Sequence, residues 1–312
     1  MRLRKVSHDF RFVVDQTETI FEYVSISVAT EKITLSIKNG ERVDIVYCDH
    51  RIGCDVQREG GFRTVFAGVD FFKKAMEDLV IMIKSSKCIV KQWTLQTEGL
   101  FPQPNPRIVN GMFNHLRTLL SPIRHQLQIE KLFILHANQE DIYWFLQLLK
   151  PRIFNEIDIR NDKMKVDQLK HTEQWKNLQT INLSQAETLT LEDFIHCRKV
   201  LLYGFELSSY KLISLIENIR NKGDNFEEYI FMETYNYYYN NLRAHFGDLG
   251  WIHNDAQTTL GPQLGSWMGH TLHYCTDKER IPGTEHYLRI EFKHKNIVFR
   301  KVSSPTEELG PE

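Results

Sequence analysis

Four short apolar runs, at residues 129–135, 154–159, 178–183 and 200–205, recur roughly every 20 to 25 residues, each leading through a polar turn towards a segment of helical period. A strand–helix unit that short cannot bury its own apolar face, so successive units must stack into a continuous core. Parallel strands joined by such helices wind right-handed, with strands on one side and helices on the other. Start signals precede the helices: Asn138 before 139–149 with Asp141 in the first turn, Thr190 before 191–197 with Asp193, and Ser208 before 209–221. Gly223 supplies a stop, and a last strand follows at 226–232. Upstream, Phe72, Ala75, Met76, Leu79, Val80 and Ile83 mark a helix over 69–85, and the array opens with a strand at 88–95. The proline-rich stretch 101–106 is an extended connector, followed by a helix over 107–120.

The two ends carry different periods. Leu3, Val6, Phe10 and Val13 line one face of a helix over 1–16. Beyond it, Val24, Ile26 and Val28, then Ile33, Leu35 and Ile37, then Val43, Ile45 and Tyr47 alternate as a β-meander. A three-residue loop of Lys38, Asn39 and Gly40 would set Leu35 opposite Val43 and Ile33 opposite Ile45, keeping one face apolar. Near the C-terminus, a two-residue turn at His294-Lys295 pairs Phe292 with Ile297 and Ile290 with Phe299, a hairpin fit to cap the open end of a stack. Residues 303–312 read as unstructured. The expected fold is α/β: a leucine-rich-repeat-like strand–helix solenoid, lacking the consensus asparagine ladder, with an antiparallel β-meander near the N-terminus and a C-terminal β-hairpin.

Charge narrows the partners. Lys plus Arg (39) nearly cancels Asp plus Glu (40), so no long-range field steers the chain towards nucleic acid or anionic lipid. The start lacks an apolar core of signal-peptide length, and no later run approaches ~18 uninterrupted apolar residues, so a cytoplasmic or nuclear location and no membrane partner are expected. Five scattered cysteines (48, 54, 88, 197 and 275) form no disulfide framework and read as reduced thiols, with Cys48 and Cys54 ordinary half-buried residues rather than zinc ligands. Asn182-Leu183-Ser184 matches a glycosylation acceptor but ends a buried strand in a chain without an export signal.

Catalytic signatures are not found: no phosphate loop, no His-Glu-x-x-His, no Gly-x-Ser-x-Gly. His115, His125, His136, His171 and His196 are scattered with no carboxylate at ligand spacing, and Asp158 with Asp162 reads as a solvated turn. The expectation is a non-catalytic binding protein with no cofactor and no metal; an enzyme would need a site assembled from distant residues. Aromatic residues are the candidates for contact. Tyr235, Tyr237, Tyr238 and Tyr239 read as core packing or as an exposed patch giving large area at low entropy cost. Trp251 and Trp267, in a glycine-rich stretch of little periodicity, are the other candidates.

Two segments together resemble a known family. Leu3-Arg4-Lys5-Val6-Ser7, then Phe10, Arg11, Val13, Val14 and Asp15, resembles the last helix of an F-box. Trp144-Phe145-Leu146-Gln147-Leu148-Leu149-Lys150-Pro151, Glu156-Ile157-Asp158-Ile159, Glu173-Gln174-Trp175-Lys176 and Leu191-Glu192-Asp193-Phe194 resemble, in order, the FTH domain of the nematode F-box A family, over about residues 110–243. The chain begins inside the final F-box helix, without the Leu-Pro opening, and reads as a truncated F-box. The resemblance implies a substrate-recognition subunit of an SCF-type ubiquitin ligase, with Leu3, Arg4, Val6 and Ser7 facing a Skp-type adaptor, a cullin beyond it, and an unknown protein target on the repeats. The alternative is an interaction module that binds its target without a ligase. The expected organisation is 1–16 F-box remnant, 17–60 meander, 61–109 helix, first strand and connector, 110–250 FTH-like repeats, and 251–312 loop, hairpin cap and tail.

Overall fold

The computed structural model describes residues 19–29, 31–58, 61–83, 88–97, 106–121, 126–135, 137–160, 166–184, 188–205, 207–232, 272–281, 283–293 and 296–303. The expected F-box helix over 1–16 lies outside them. The chain falls into two compact units, Met1–Met164 with Gln168–Leu178, and Lys165–Asp167 with Gln179–Glu312. Each is a mixed α/β unit built on an open sheet.

The first unit contains β1 (Thr19–Phe21), β2 (Tyr23–Val28), β3 (Lys32–Asn39), β4 (Glu41–His50), β5 (Gly53–Arg58), β6 (Phe62–Ala67), α1 (Phe71–Ile83), β7 (Cys88–Thr97), α2 (Pro106–Leu120), β8 (Gln128–Leu135), α3 (Gln139–Leu146), β9 (Glu156–Arg160) and the short α4 (Glu173–Lys176). Its strand order is β6-β5-β4-β3-β2-β7-β8-β9, with β1 also on β7. β2 through β6 are antiparallel neighbours, and β2, β7, β8 and β9 are parallel. Alternation explains the layering. Ile26 pairs with Leu35, which pairs with Ile45, and Trp93 with Leu132, which pairs with Ile157. One face is therefore apolar, and the helices cover it: α1 buries Ala75, Met76, Leu79, Val80 and Ile83, spaced by threes and fours. Phe145 of α3 packs at 5.6 Å on Trp93, both fully buried.

The second unit holds β10 (Thr180–Leu183), β11 (Lys199–Tyr203), α5 (Ser209–Lys222), β12 (Glu228–Met232), β13 (Leu272–Arg280), β14 (Tyr287–Lys293) and β15 (Asn296–Val302), in the order β10-β11-β12-β15-β14-β13. β10, β11 and β12 run parallel; β15 joins β12 antiparallel and continues the sheet into the hairpin. Phe194 packs edge-on against Phe205 at 5.3 Å and Tyr229 at 6.1 Å, and Phe231 meets Phe299 at 5.9 Å.

Several of these expectations hold. Asn138 and Ser208 accept from the amides of Asp141 and Lys211, and Gly223 ends α5 at φ 58. The hairpin pairs Phe292 with Ile297 and Ile290 with Phe299. Others are corrected. The meander loop sits one residue later, so Leu35 faces Ile45 and Ile33 faces Tyr47; this register pairs Ile37 with Val43, where the expected one would have set Ile37 against Glu41. The helix expected over 191–197 is one 3-10 turn, Leu191–Asp193, closed by a Thr190–Asp193 capping box. Phe194 leaves helical geometry at φ −131 to enter the aromatic cluster, and so short a segment has little cooperativity to resist it. The helix expected over 139–149 stops at Leu146, because Leu127 bridges Leu149 and Pro151 follows. β5, β6 and β13 were not foreseen.

Candidate functional site

On each unit the sheet face opposite the helices carries the side chains that alternate along the strands with those packed under the helices, some of them buried. In the first unit, strand parity sets Thr94, Ser25, Ser36 and Asp44 side by side across β7, β2, β3 and β4. Phe133 and Asp158 extend the row across β8 and β9. Its middle is floored with small hydroxyl residues: Ser25, Ser36 and Thr94 are all buried, and Thr94 Oγ1 has no hydrogen-bond partner among the described residues. Longer side chains flank the floor. Arg42 donates to Asp44 (2.9 Å) and Ser36 (3.3 Å), Lys131 pairs with Glu156 (2.7 Å), and Arg160 binds Asp158 while lying 5.1 Å over the Phe133 ring. Burial opposes ionisation of Asp44, but the hydrogen bonds from Arg42 and Ser36 win and hold its carboxyl below the usual range.

In the second unit the equivalent rows are Thr180, Lys199, Glu228 and Arg300, then Asn182, Leu201, Ile230 and Val298. The first is charged. Arg198 and Lys199 both reach Glu227, and Arg300 donates to Glu228 at 2.5 Å. The hydrogen bond from Lys199 holds Glu227 below the usual carboxylate range and, in return, Glu227 raises Lys199. The second row is aliphatic from Leu201 to Val298 and ends on the amide of Asn182. In each unit the charges on this face are paired with opposite charges rather than gathered around one point.

Polar groups on the helix side act within the fold. Tyr47 donates to Asp78 at 3.0 Å, and Lys74 pairs with the same carboxylate. Arg117 on α2 donates to Asp141 at 2.6 Å, yet burial outweighs that charge and raises the carboxyl. Lys222 donates to the Cys197 carbonyl and, at 2.9 Å, to the Tyr229 hydroxyl, while burial pulls its ammonium down to about 8. Burial lifts the thiols of Cys48, Cys54, Cys88 and Cys197, with Cys54 and Cys88 near about 11 and Cys197 near about 12. Protonated thiols are poor nucleophiles at neutral pH. Cys48 stands opposite Asp55 and Cys54 opposite Asp49, so the two point to opposite faces and cannot share a metal. Among the described residues no cluster of three His, Cys, Asp or Glu side chains is placed to hold a metal ion. His115 stacks on Phe72, and Asp158 is engaged by Arg160.

All the contact residues expected from sequence fall elsewhere. Leu3, Arg4, Val6 and Ser7, and Tyr235, Tyr237, Tyr238, Tyr239, Trp251 and Trp267, lie outside the described residues. What sequence reasoning missed is the hydroxyl row on the open face. Its signal was present in the serines alternating with Val24, Ile26 and Val28, and opposite them in Thr34 and Ser36.

The signature of the FTH domain matches residues 110–248, somewhat under half of the chain. The match runs from within α2, through α3, β9 and α5, past β12. This stretch is similar to the FTH domain, which occurs in F-box-type proteins. No curated protein and no solved structure matches the chain. No helix among the described residues is long and apolar enough to cross a membrane.

Proposed function

We propose that this chain is a substrate-recognition subunit of an SCF-type ubiquitin ligase, holding a protein target on its strand faces and contributing no catalysis of its own. The FTH-domain match over residues 110–248 carries the reading, since that domain accompanies F-box proteins. Parallel neighbours within each unit, β8 with β9 and β10 with β11 and β12, support stacked strand–helix units of leucine-rich-repeat type, whose strands line a docking surface. Leu3, Arg4, Val6 and Ser7 are the proposed contacts to a Skp-type adaptor, which links the chain to a cullin. Tyr235, Tyr237, Tyr238, Tyr239, Trp251 and Trp267 are proposed to add aromatic contacts to the target. The proposed location is the cytoplasm or nucleus, where such ligases assemble, in a nematode F-box A type of receptor.

Affinity purification of the tagged chain tests it. Adaptor and cullin should co-purify, and a variant carrying Leu3→Asp and Val6→Asp should lose both while keeping its target. A chain that captures its target but never adaptor or cullin is an interaction module without a ligase role.

A further inference from the structure

Among the described residues the sheet of the first unit ends in β6, whose outer backbone edge pairs with no further strand. Among the described residues β6 pairs with β5 alone, in unbroken antiparallel register from Phe62 opposite Arg58 to Ala67 opposite Gly53. No residue of β6 with described burial is buried: Arg63, Val65 and Ala67 are exposed, Thr64 and Phe66 half-buried. α1 packs against α2 and over β3, β4, β5 and β7, and touches β6 through Lys74, which lies 5.1 Å over the Phe66 ring. An edge strand displays a row of backbone N–H and C=O groups, and sheets that must stay single blunt such edges with proline, bulges or projecting charge. β6 has no proline and no register shift, and its one charged side chain, Arg63, is turned onto Asp55 at 2.9 Å.

We propose that the β6 edge docks an extended segment of the protein target, which adds to the sheet as one more strand. This deepens the recognition role above and rests on it. Strand addition takes its affinity from main-chain hydrogen bonds and its selectivity from alternate side chains. The only β6 charge is already engaged, so nothing on the strand calls for a charged residue opposite; Val65, 38% exposed, calls for an apolar one. A second copy is the poorer occupant. Six residues of one strand offer far less than the about 800 Å² per partner of a standard stable interface, whereas a peptide strand needs only the edge.

The test uses the full chain and a fluorescein-labelled peptide, Ser-Thr-Val-Thr-Val-Thr-Ser, read by fluorescence anisotropy. Two versions carry N-methyl groups on alternate residues, in one frame or the other. Methylation in the frame facing β6 should weaken binding about tenfold or more, and methylation in the other frame should leave it nearly unchanged. Val65→Lys should weaken it about tenfold without shifting the thermal unfolding of the chain, because the position is exposed. No binding at about 1 mM peptide, or equal loss in both frames, overturns the proposal. A dimer of the free chain in sedimentation that Val65→Lys abolishes gives the edge to a second copy and also overturns it. If Val65→Lys leaves capture of the protein target intact, the edge proposal fails while the recognition role stands. If frame-selective peptide binding occurs but adaptor and cullin never associate, the edge proposal stands and the ligase role fails.

Discussion

Lys222 shows how much one side chain can set. Its amine is half-buried between the Cys197 carbonyl and the Tyr229 hydroxyl, and burial lowers its proton affinity. In the unfolded chain the group titrates near its ordinary 10.5, so between about 8 and 10.5 the unfolded state binds the extra proton. The cost is present below the folded value and is relieved as pH rises. Stability to urea should therefore increase from pH 8 towards pH 10 by about 1 kcal/mol, discounted for the exposed part of the side chain, and Lys222→Met should flatten that slope. Gly53 makes a steric counterpart. Its φ is 149, and a Cβ there would lie 2.1 Å from the Phe66 carbonyl oxygen. Gly53→Ala should cost about 3 kcal/mol in urea unfolding followed by tryptophan fluorescence, which Trp93 and Trp175, both buried, report.

At the level of elements, caps decide where helices begin. Ser208 accepts from the Lys211 amide at the start of α5, and Ser208→Ala should lower stability by about 1 kcal/mol while Ser208→Asp should not. Elements with a strong apolar run were legible from the residues alone: β8, β9, β10, β11, β12 and the β14–β15 hairpin all lie where the sequence places them, within a residue or two. Register was harder. In the meander the expected pairing kept the right parity and missed by two, because parity alone does not say whether Ile37 faces Val43 or Glu41. β5, with Cys54, Asp55, Val56 and Gln57, has no clean alternation, and its buried Asp55 is sustained by Arg63 and Gln57. The polar contacts were illegible for a simpler reason: Tyr47 and Asp78 are 31 residues apart, Lys222 and Cys197 25, and Arg300 and Glu228 72. No local pattern joins such pairs. The open-face hydroxyls were visible as alternating serines, but their use as a floor emerges only when β7 brings Thr94 beside Ser25.

For the whole molecule, the central claim is that a protein held on the strand faces is delivered for ubiquitination. The direct measurement is quantitative ubiquitin-remnant mass spectrometry on cells expressing the chain or its Leu3→Asp, Val6→Asp variant, alongside capture of bound proteins from both. The account predicts a defined set of captured proteins whose ubiquitination falls in the variant while their capture does not. An unchanged ubiquitination profile for those same captured proteins would contradict it.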